Sequence, residues 1–338
     1  MIFDTLLRRV FNGDRAAEAS TDPAPATPAP PSIGLALGGG AARGFAHIGV
    51  LRTLLANGIK PDVVVGTSIG AVVAGCYAGG QLEAFEDWTR GLTRRGVLGY
   101  LDVRLSGAGL IGGGRLAARL EETLGARHID DLDVRFAAIA TEIGTGHEIW
   151  LTRGRIVEAL RASYALPGIF PPVRIGGRWL VDGALVNPVP VSAARALGAR
   201  LVIAINLTGD LFGRGTTIAS HGSDDEDERL IEALRCKPHR FRGMFGAGRS
   251  LRRQLFGTST RPGIPTVMVE AFNVMQDRIT RARLAGDPPD VLINPRLGSI
   301  GWFDFHRGAE AIEIGAHAAE RALPAIAEAV AALSTAPR

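Results

Sequence analysis

Gly66-Thr67-Ser68-Ile69-Gly70 follows an apolar run at 63 to 65 and precedes an apolar, helix-compatible segment. That setting puts a serine at a sharp strand-to-helix turn, where its hydroxyl stands clear and can act as a nucleophile. Glycine two residues to either side suits the turn, because a Cβ there would collide with the neighbouring strand or helix. Upstream, the apolar stretch 33 to 37 runs into Gly38-Gly39-Gly40-Ala41-Ala42-Arg43-Gly44, after which Val50, Leu51, Leu54 and Leu55 recur at helical spacing. A glycine-rich loop at a helix start presents free backbone N–H groups and a positive dipole end, which bind an anion: a phosphate or an oxyanion. The dinucleotide fingerprint is one residue shorter than Gly38-x-Gly40-x-x-x-Gly44, and it wants an acidic residue at the end of the second strand, whereas Asp62 begins one. The oxyanion reading needs a nucleophile nearby, and Ser68 ends the very next strand. In a parallel sheet the two strand ends lie side by side, so the amides of Gly39, Gly40 and Ala41 can face the carbonyl that Ser68 attacks.

A third motif, Asp182-Gly183-Ala184, follows a hairpin formed by 173 to 175 and 178 to 181 around Gly176-Gly177. An aspartate there is commonly a turn former. Beside the other two motifs it gains a chemical reading.

With the three motifs in this order, the chain resembles the patatin-like phospholipase family: a glycine-rich oxyanion loop, then G-x-S-x-G, then D-G-A or D-G-G. Ala-Leu-Pro-Gly-Ile-Phe-Pro-Pro at 165 to 172 and Asn187-Pro188-Val189-Pro190 are also similar to bacterial members, and the likeness spans residues 33 to 206. By position, the resemblance implies that Ser68 is the nucleophile and Asp182 the general base. It implies an oxyanion hole in the 38 to 44 loop, from Gly38, Gly39, Gly40 and Ala41, with Arg43 as the family's basic residue. Gly44, Gly66, Gly70, Gly183 and Ala184 support the motifs. The loop carries one residue more than the G-x-G-x-x-G of many members, which leaves open which amides form the hole.

A carboxylate with an ordinary pKa near 4 is a poor base for an alcohol, so a Ser–Asp dyad needs Asp182 desolvated and hydrogen bonded to Ser68. The reaction is then a double displacement through an acyl-enzyme. The competing site is an α/β-hydrolase triad of Ser68, Asp182 and His306, whose chain order is suitable. His306 sits in Trp302-Phe303-Asp304-Phe305-His306-Arg307, which reads as an aromatic-packed helix start, and a histidine in such a place is more often structural. His47, one turn into the helix after the glycine loop, reads as packing or loop support.

The chain has 338 residues, 46% hydrophobic and 21% charged, with 44 glycines, enough for one large α/β domain. Strands are expected at 136 to 141, 147 to 151, 201 to 206 and 291 to 294. Helices are expected around 114 to 124, 155 to 163, 189 to 197, 266 to 284 and 306 to 333, with Pro324 breaking or kinking the last. The alternation predicts a mainly parallel central sheet sandwiched between helices. Cys76 and Cys236 lack partners at ligand spacing, so neither a metal site nor a cofactor is implied, and two such cysteines suit a reducing compartment.

No stretch reaches the roughly 18 apolar residues of a membrane span, and no signal peptide is evident, which places the protein in the cytoplasm. Residues 1 to 32 read as an amphipathic segment and a Pro/Ala linker before the domain at 33 to 338. The amphipathic segment either packs on its own domain or a second subunit, or lies in a membrane interface. A charged insertion at about 209 to 262 holds Asp224 to Glu228 and then arginines interleaved with Phe241, Phe245 and Phe256. It is either a solvated flexible insertion or a lid contacting anionic membrane on the inner face, which the pI near 9.6 favours. No recognition motif for nucleic acid accompanies the charge. The stretch 96 to 114, with seven glycines among apolar residues including Leu98, Tyr100 and Leu110, reads as a packed loop or a wall for an acyl chain. The substrate expected is a fatty-acyl ester of a phospholipid or lysophospholipid. Competing classes are a small-acyl esterase or thioesterase, and a lipid- or protein-binding regulator with the same fold.

Overall fold

The computed structural model describes residues 32–100, 102, 112–210 and 264–335. The expectations for the amphipathic segment and linker, for nearly all of the charged insertion and for most of the 96 to 114 loop fall outside the described residues.

Among the described residues, eight strands form one sheet: β1 (Ile33–Leu37), β2 (Val63–Thr67), β3 (Arg135–Glu142), β4 (Glu148–Leu151), β5 (Val173–Ile175), β6 (Arg178–Asp182), β7 (Leu201–Ile205) and β8 (Val291–Ile293). Their order is β5-β6-β3-β2-β1-β7-β8, with β4 also on β3. The pairs β1–β2, β1–β7, β2–β3 and β7–β8 are parallel, while β3–β4, β3–β6 and β5–β6 are antiparallel. β1, β2 and β7 read as nearly unbroken apolar runs because both faces of a mainly parallel sheet are covered. The side chains alternate between two cores. Leu35, Leu37 and Val64 face the larger one, shared with α1 (Ala46–Ala56), α2 (Ile69–Ala78), α3 (Leu82–Arg90), α4 (Arg94–Tyr100), α5 (Gly114–Leu124) and α6 (Ile156–Ser163). Ala36, Val63, Val65 and Val202 face the second, closed by α7 (Val191–Ala196) and by Leu284 of α8 (Ile264–Gly286). The last helix, α9 (Gly308–Thr335), packs along α1 in the larger core.

β3 carries the registration on which the site depends. Its Ala138 and Ile139 pair with β2 and β4 at once, and its Ala140 and Thr141 pair with β4 and β6 at once. A strand has two edges, so β2 and β6 must follow one another along the same edge of β3. β2 ends with Thr67 opposite Ile139, and β6 ends with Asp182 opposite Ala140. The β5–β6 hairpin turns at Gly176 and Gly177, whose φ of 56° and 82° give the two left-handed residues that a tight two-residue turn requires.

Two expectations change, and one helix had none. α9 runs through Pro324 without a break. The lost hydrogen bond and local clash cost about 3 kcal/mol, which the packing of Leu323 and Ile326 on the larger core offsets. The stretch from Gly96 does not start as a loop: Thr93 Oγ1 accepts the Gly96 amide at 3.0 Å and caps α4. α3 had no counterpart in the apolar pattern, because its inward face includes Glu86 and Thr89; Glu86 is held by Arg52 and Arg90 at 2.7 Å each.

Leu160 of α6 is fully buried against α2. Leu160→Ala is expected to lower the unfolding free energy by about 2–5 kcal/mol in a denaturant titration. A loss under about 1 kcal/mol would show that this helix pair is not part of the cooperative core.

Candidate active site

Ser68 sits between the end of β2 and the start of α2 with φ 57° and ψ −125°, one of two non-glycine residues with positive φ among those described. Such a backbone costs on the order of 1–3 kcal/mol and is held by its surroundings. A Cβ on Gly66 would lie 2.4 Å from the Ala71 backbone, and one on Gly70 would lie 2.2 Å from the Leu37 carbonyl oxygen. Only glycine lets the turn close this tightly against β1. The Ser68 amide donates to Ser163 Oγ at 2.9 Å, and that hydroxyl donates to Ile139 O at 2.6 Å, so α6 and β3 clamp the elbow. Thr67 Oγ1 donates to Asn187 O at 2.8 Å, tying the strand end to the turn after Asp182.

Ser68 Oγ donates to Asp182 Oδ2 at 2.7 Å. The other carboxylate oxygen, Oδ1, accepts the Ala184 amide at 2.9 Å, so Asp182 caps the short 3₁₀ turn Gly183–Leu185. Thr141 Oγ1 donates to the Asp182 carbonyl, and the Asp182 amide donates to Ala165 O. The residue is 2% exposed. Burial pushes its carboxyl up from 3.8 to about 7, against the smaller opposing pull of the Ser68 and Ala184 hydrogen bonds.

The glycine loop crosses in front of this pair. Gly38 N donates to Ile205 O and Gly39 N to Pro188 O, so these two amides are engaged. The Gly40 and Ala41 amides have no partner among the described residues, and both residues line the same cavity as Ser68 and Asp182. Ala41 is the second residue with positive φ, at 49°. His47 Nε2 donates to Gly38 O at 2.7 Å from a fully buried ring. Burial pulls its pKa down to about 4, which keeps the ring neutral and fixes its proton on Nε2. The loop-support reading of His47 therefore describes its geometry.

Arg43 does not fit the place expected of it. It is 6% exposed, turns its Nε to Ile300 O at 2.8 Å and is absent from the cavity wall. Its side chain and the Gly38 and Gly39 amides are engaged within the protein, where all three fasten the loop. His306 accepts from Arg94 Nε at 3.1 Å and lies outside the cavity lining, so among the described residues no histidine joins the Ser68–Asp182 pair. Cys76 is buried in α2, and burial pushes its thiol up to about 12.

The cavity has a volume of about 140 Å³ and opens to solvent at its mouth. Ser68 and Asp182 lie on a wall that is otherwise overwhelmingly apolar. Phe85 and Trp88 of α3, Val97 and Tyr100 of α4, Tyr164, Phe170, and Trp302, Phe303 and Phe305 of the segment before α9 make up most of it. Several of these rings touch edge to face, Phe45 with Trp88 and Phe305, and Trp88 with Tyr100. Tyr100 thus places the described start of the 96 to 114 stretch at the cavity.

A profile of the family described as Patatin-like phospholipase matches residues 35–195. The uncharacterized NTE family protein Rv1063c of Mycobacterium tuberculosis is 30% identical over 87% of this chain and 92% of its own length. The chain belongs to the patatin-like phospholipase family. Two longer relatives share one stretch with it. The patatin-like phospholipase domain-containing protein ZK370.4 of Caenorhabditis elegans is 36% identical over 52% of this chain and 14% of itself. Lysophospholipase NTE1 of Mycosarcoma maydis is 35% identical over 52% of this chain and 10% of itself. Membership supports lipid hydrolase activity in general.

Asp182 binds its proton more tightly in the folded chain than in the unfolded one. Its contribution to stability is therefore full below its ordinary value of 3.8 and is lost as pH rises through about 7. Asp182→Asn, which does not titrate, is expected to gain on wild type by a few kcal/mol in unfolding free energy between pH 4 and pH 8. Parallel pH profiles for the two proteins would show that the carboxyl is not shifted.

Proposed function

We propose that this chain is a serine acyl hydrolase cleaving fatty-acyl esters of phospholipids, lysophospholipids or related lipids through an acyl-enzyme on Ser68, with Asp182 as the only base. The observation that carries the reading is the 2.7 Å hydrogen bond from the Ser68 hydroxyl to a desolvated carboxylate on the wall of an apolar cavity. As Ser68 Oγ attacks the ester carbonyl, its proton passes to Asp182 Oδ2. The tetrahedral oxyanion accepts from the Gly40 and Ala41 amides, each donor worth roughly 3 kcal/mol when aligned, and the positive end of the α2 dipole adds to it. Collapse breaks the ester bond, and the departing alkoxide takes the proton back from Asp182. Water then attacks the acyl-enzyme, Asp182 accepts its proton, and fatty acid leaves as the proton returns to Ser68.

A carboxyl near 7 is a better-matched base than one near 4, and it must be ionised to act. The aromatic walls accept an acyl chain and exclude water, which sharpens every electrostatic term at the pair. Because the cavity wall is almost wholly apolar, this reading favours lipid over small-acyl esters. We place the protein in the cytoplasm, acting at the surface of anionic membrane.

With a short-chain nitrophenyl ester and with labelled phospholipid vesicles, Ser68→Ala and Asp182→Asn are expected to lose about 10³-fold or more in kcat, while His306→Ala stays within about threefold of wild type. A folded but inactive His306→Ala would replace the dyad with a triad. For the wild type, kcat/KM should rise with pH and level off above about 7, the value of the Asp182 carboxyl. A flat profile between pH 5 and pH 8 would remove Asp182 as the base.

A further inference from the structure

The family motifs leave the one carboxamide on the described cavity wall without a role. Gln276, midway along α8, is 2% exposed and lines the cavity with Ser68 and Asp182. Its Oε1 is buried without a hydrogen-bond partner among the described residues. A glutamine that serves the fold is tied down by hydrogen bonds, since an unmet buried carboxamide oxygen costs about 1–3 kcal/mol. This one is not. α8 carries a stripe of buried polar residues, Asn273, Gln276 and Thr280, and only Gln276 reaches the cavity.

Its place is set from both sides. Phe272, one turn earlier on the same helix face, packs edge to face on Trp302 with ring centres 5.5 Å apart. Two turns later, Arg283 donates to Glu148 Oε2 at 2.8 Å and fixes α8 to β4. Gln276 Nε2 lies 3.6 Å from where a Cβ on Gly39 would stand, and that point is itself 3.6 Å from Ser68 Cβ. The carboxamide nitrogen therefore lies over Gly39 of the glycine loop, on the cavity that Ser68, Gly40 and Ala41 also line.

We infer that Gln276 is a catalytic residue that donates from Nε2 to the oxyanion, completing a hole whose other donors are the Gly40 and Ala41 amides. The inference rests on the reading of Ser68 as nucleophile. It puts a side-chain donor at an otherwise apolar wall, where it is worth most when the carbonyl oxygen gains charge. It also gives α8, which lies beyond the three motifs in sequence, a part in the chemistry.

Gln276→Met removes the donor at nearly constant volume and is compared with wild type and Ser68→Ala on a short-chain nitrophenyl ester. The expected result is an unchanged melting temperature, a kcat lower by about 10²–10³-fold and a KM within about threefold. A trifluoromethyl ketone, whose adduct with serine carries the same oxyanion, should bind more weakly by a similar factor. A folded Gln276→Met with kcat within about threefold of wild type, beside an inactive Ser68→Ala, overturns the role of Gln276 and leaves the nucleophile standing. Activity retained by Ser68→Ala would overturn the parent reading instead. If Gln276→Met and Gln276→Ala both fail to fold, the side chain is structural and the inference falls.

Discussion

Burying a carboxylate without a counter-charge is costly, and Asp182 is held in that condition: its side chain has the Ser68 hydroxyl and the Ala184 amide as partners, and no cation within ion-pair distance among the described residues. An arginine beside it would have stabilised the ion and lowered its proton affinity, which is the opposite of what a base for an alcohol needs. The fold therefore has to supply rigidity in place of charge. Thr141 and Ala165 fix the Asp182 backbone, the 3₁₀ turn that follows fixes one oxygen, and the elbow presents the serine to the other. Each of these holds a group whose desolvation alone would favour protonation, and the same groups give up stability at neutral pH in favour of reactivity.

The sheet makes this arrangement possible by using one long strand as a ruler. Eight residues of β3 accommodate a parallel neighbour and an antiparallel one in succession along one edge, so two strands far apart in sequence end within one residue of each other. β2 is pushed off that edge by the elbow, and β6 occupies the space it vacates. The strained φ of Ser68 and the tight approach of Gly70 to Leu37 O belong to the same event, because a looser turn would leave no room for Asp182 to reach the hydroxyl. Fold and site are in this sense one constraint seen at two scales.

What could be read from the sequence follows the range of the forces involved. The elbow was legible because its glycines answer to contacts within a few residues, and the hairpin before Asp182 because Gly176-Gly177 sets its turn locally. The parallel sheet followed from the alternation of apolar runs and helical spacing. α3 was not legible, since Glu86 turns inward to two arginines and breaks the apolar period. Ser163 and Gln276 carry no local mark at all: each is an ordinary polar residue on a helix, and its meaning comes from a neighbour 95 residues away in the case of Ser163. The engagement of two loop amides is set in the same way, by long-range acceptors, Ile205 O for Gly38 and Pro188 O for Gly39.

The division between the two kinds of residue has a chemical consequence. The groups placed for bond making sit on strand ends and the first turn of α2, where the sheet fixes them. The walls of the cavity come from α3, α4, the segment around Phe170 and the aromatic strip before α9, which pack on the sheet from outside and meet one another mainly through ring contacts. Ring contacts are worth about 0.5–1.5 kcal/mol each and tolerate exchange better than a hydrogen-bonded carboxylate does. Substitutions at Phe85, Trp88 or Phe303 can therefore reshape the cavity while the Ser68–Asp182 geometry stays as the sheet sets it, so the shape of the cavity and the geometry of the pair are separable in this fold.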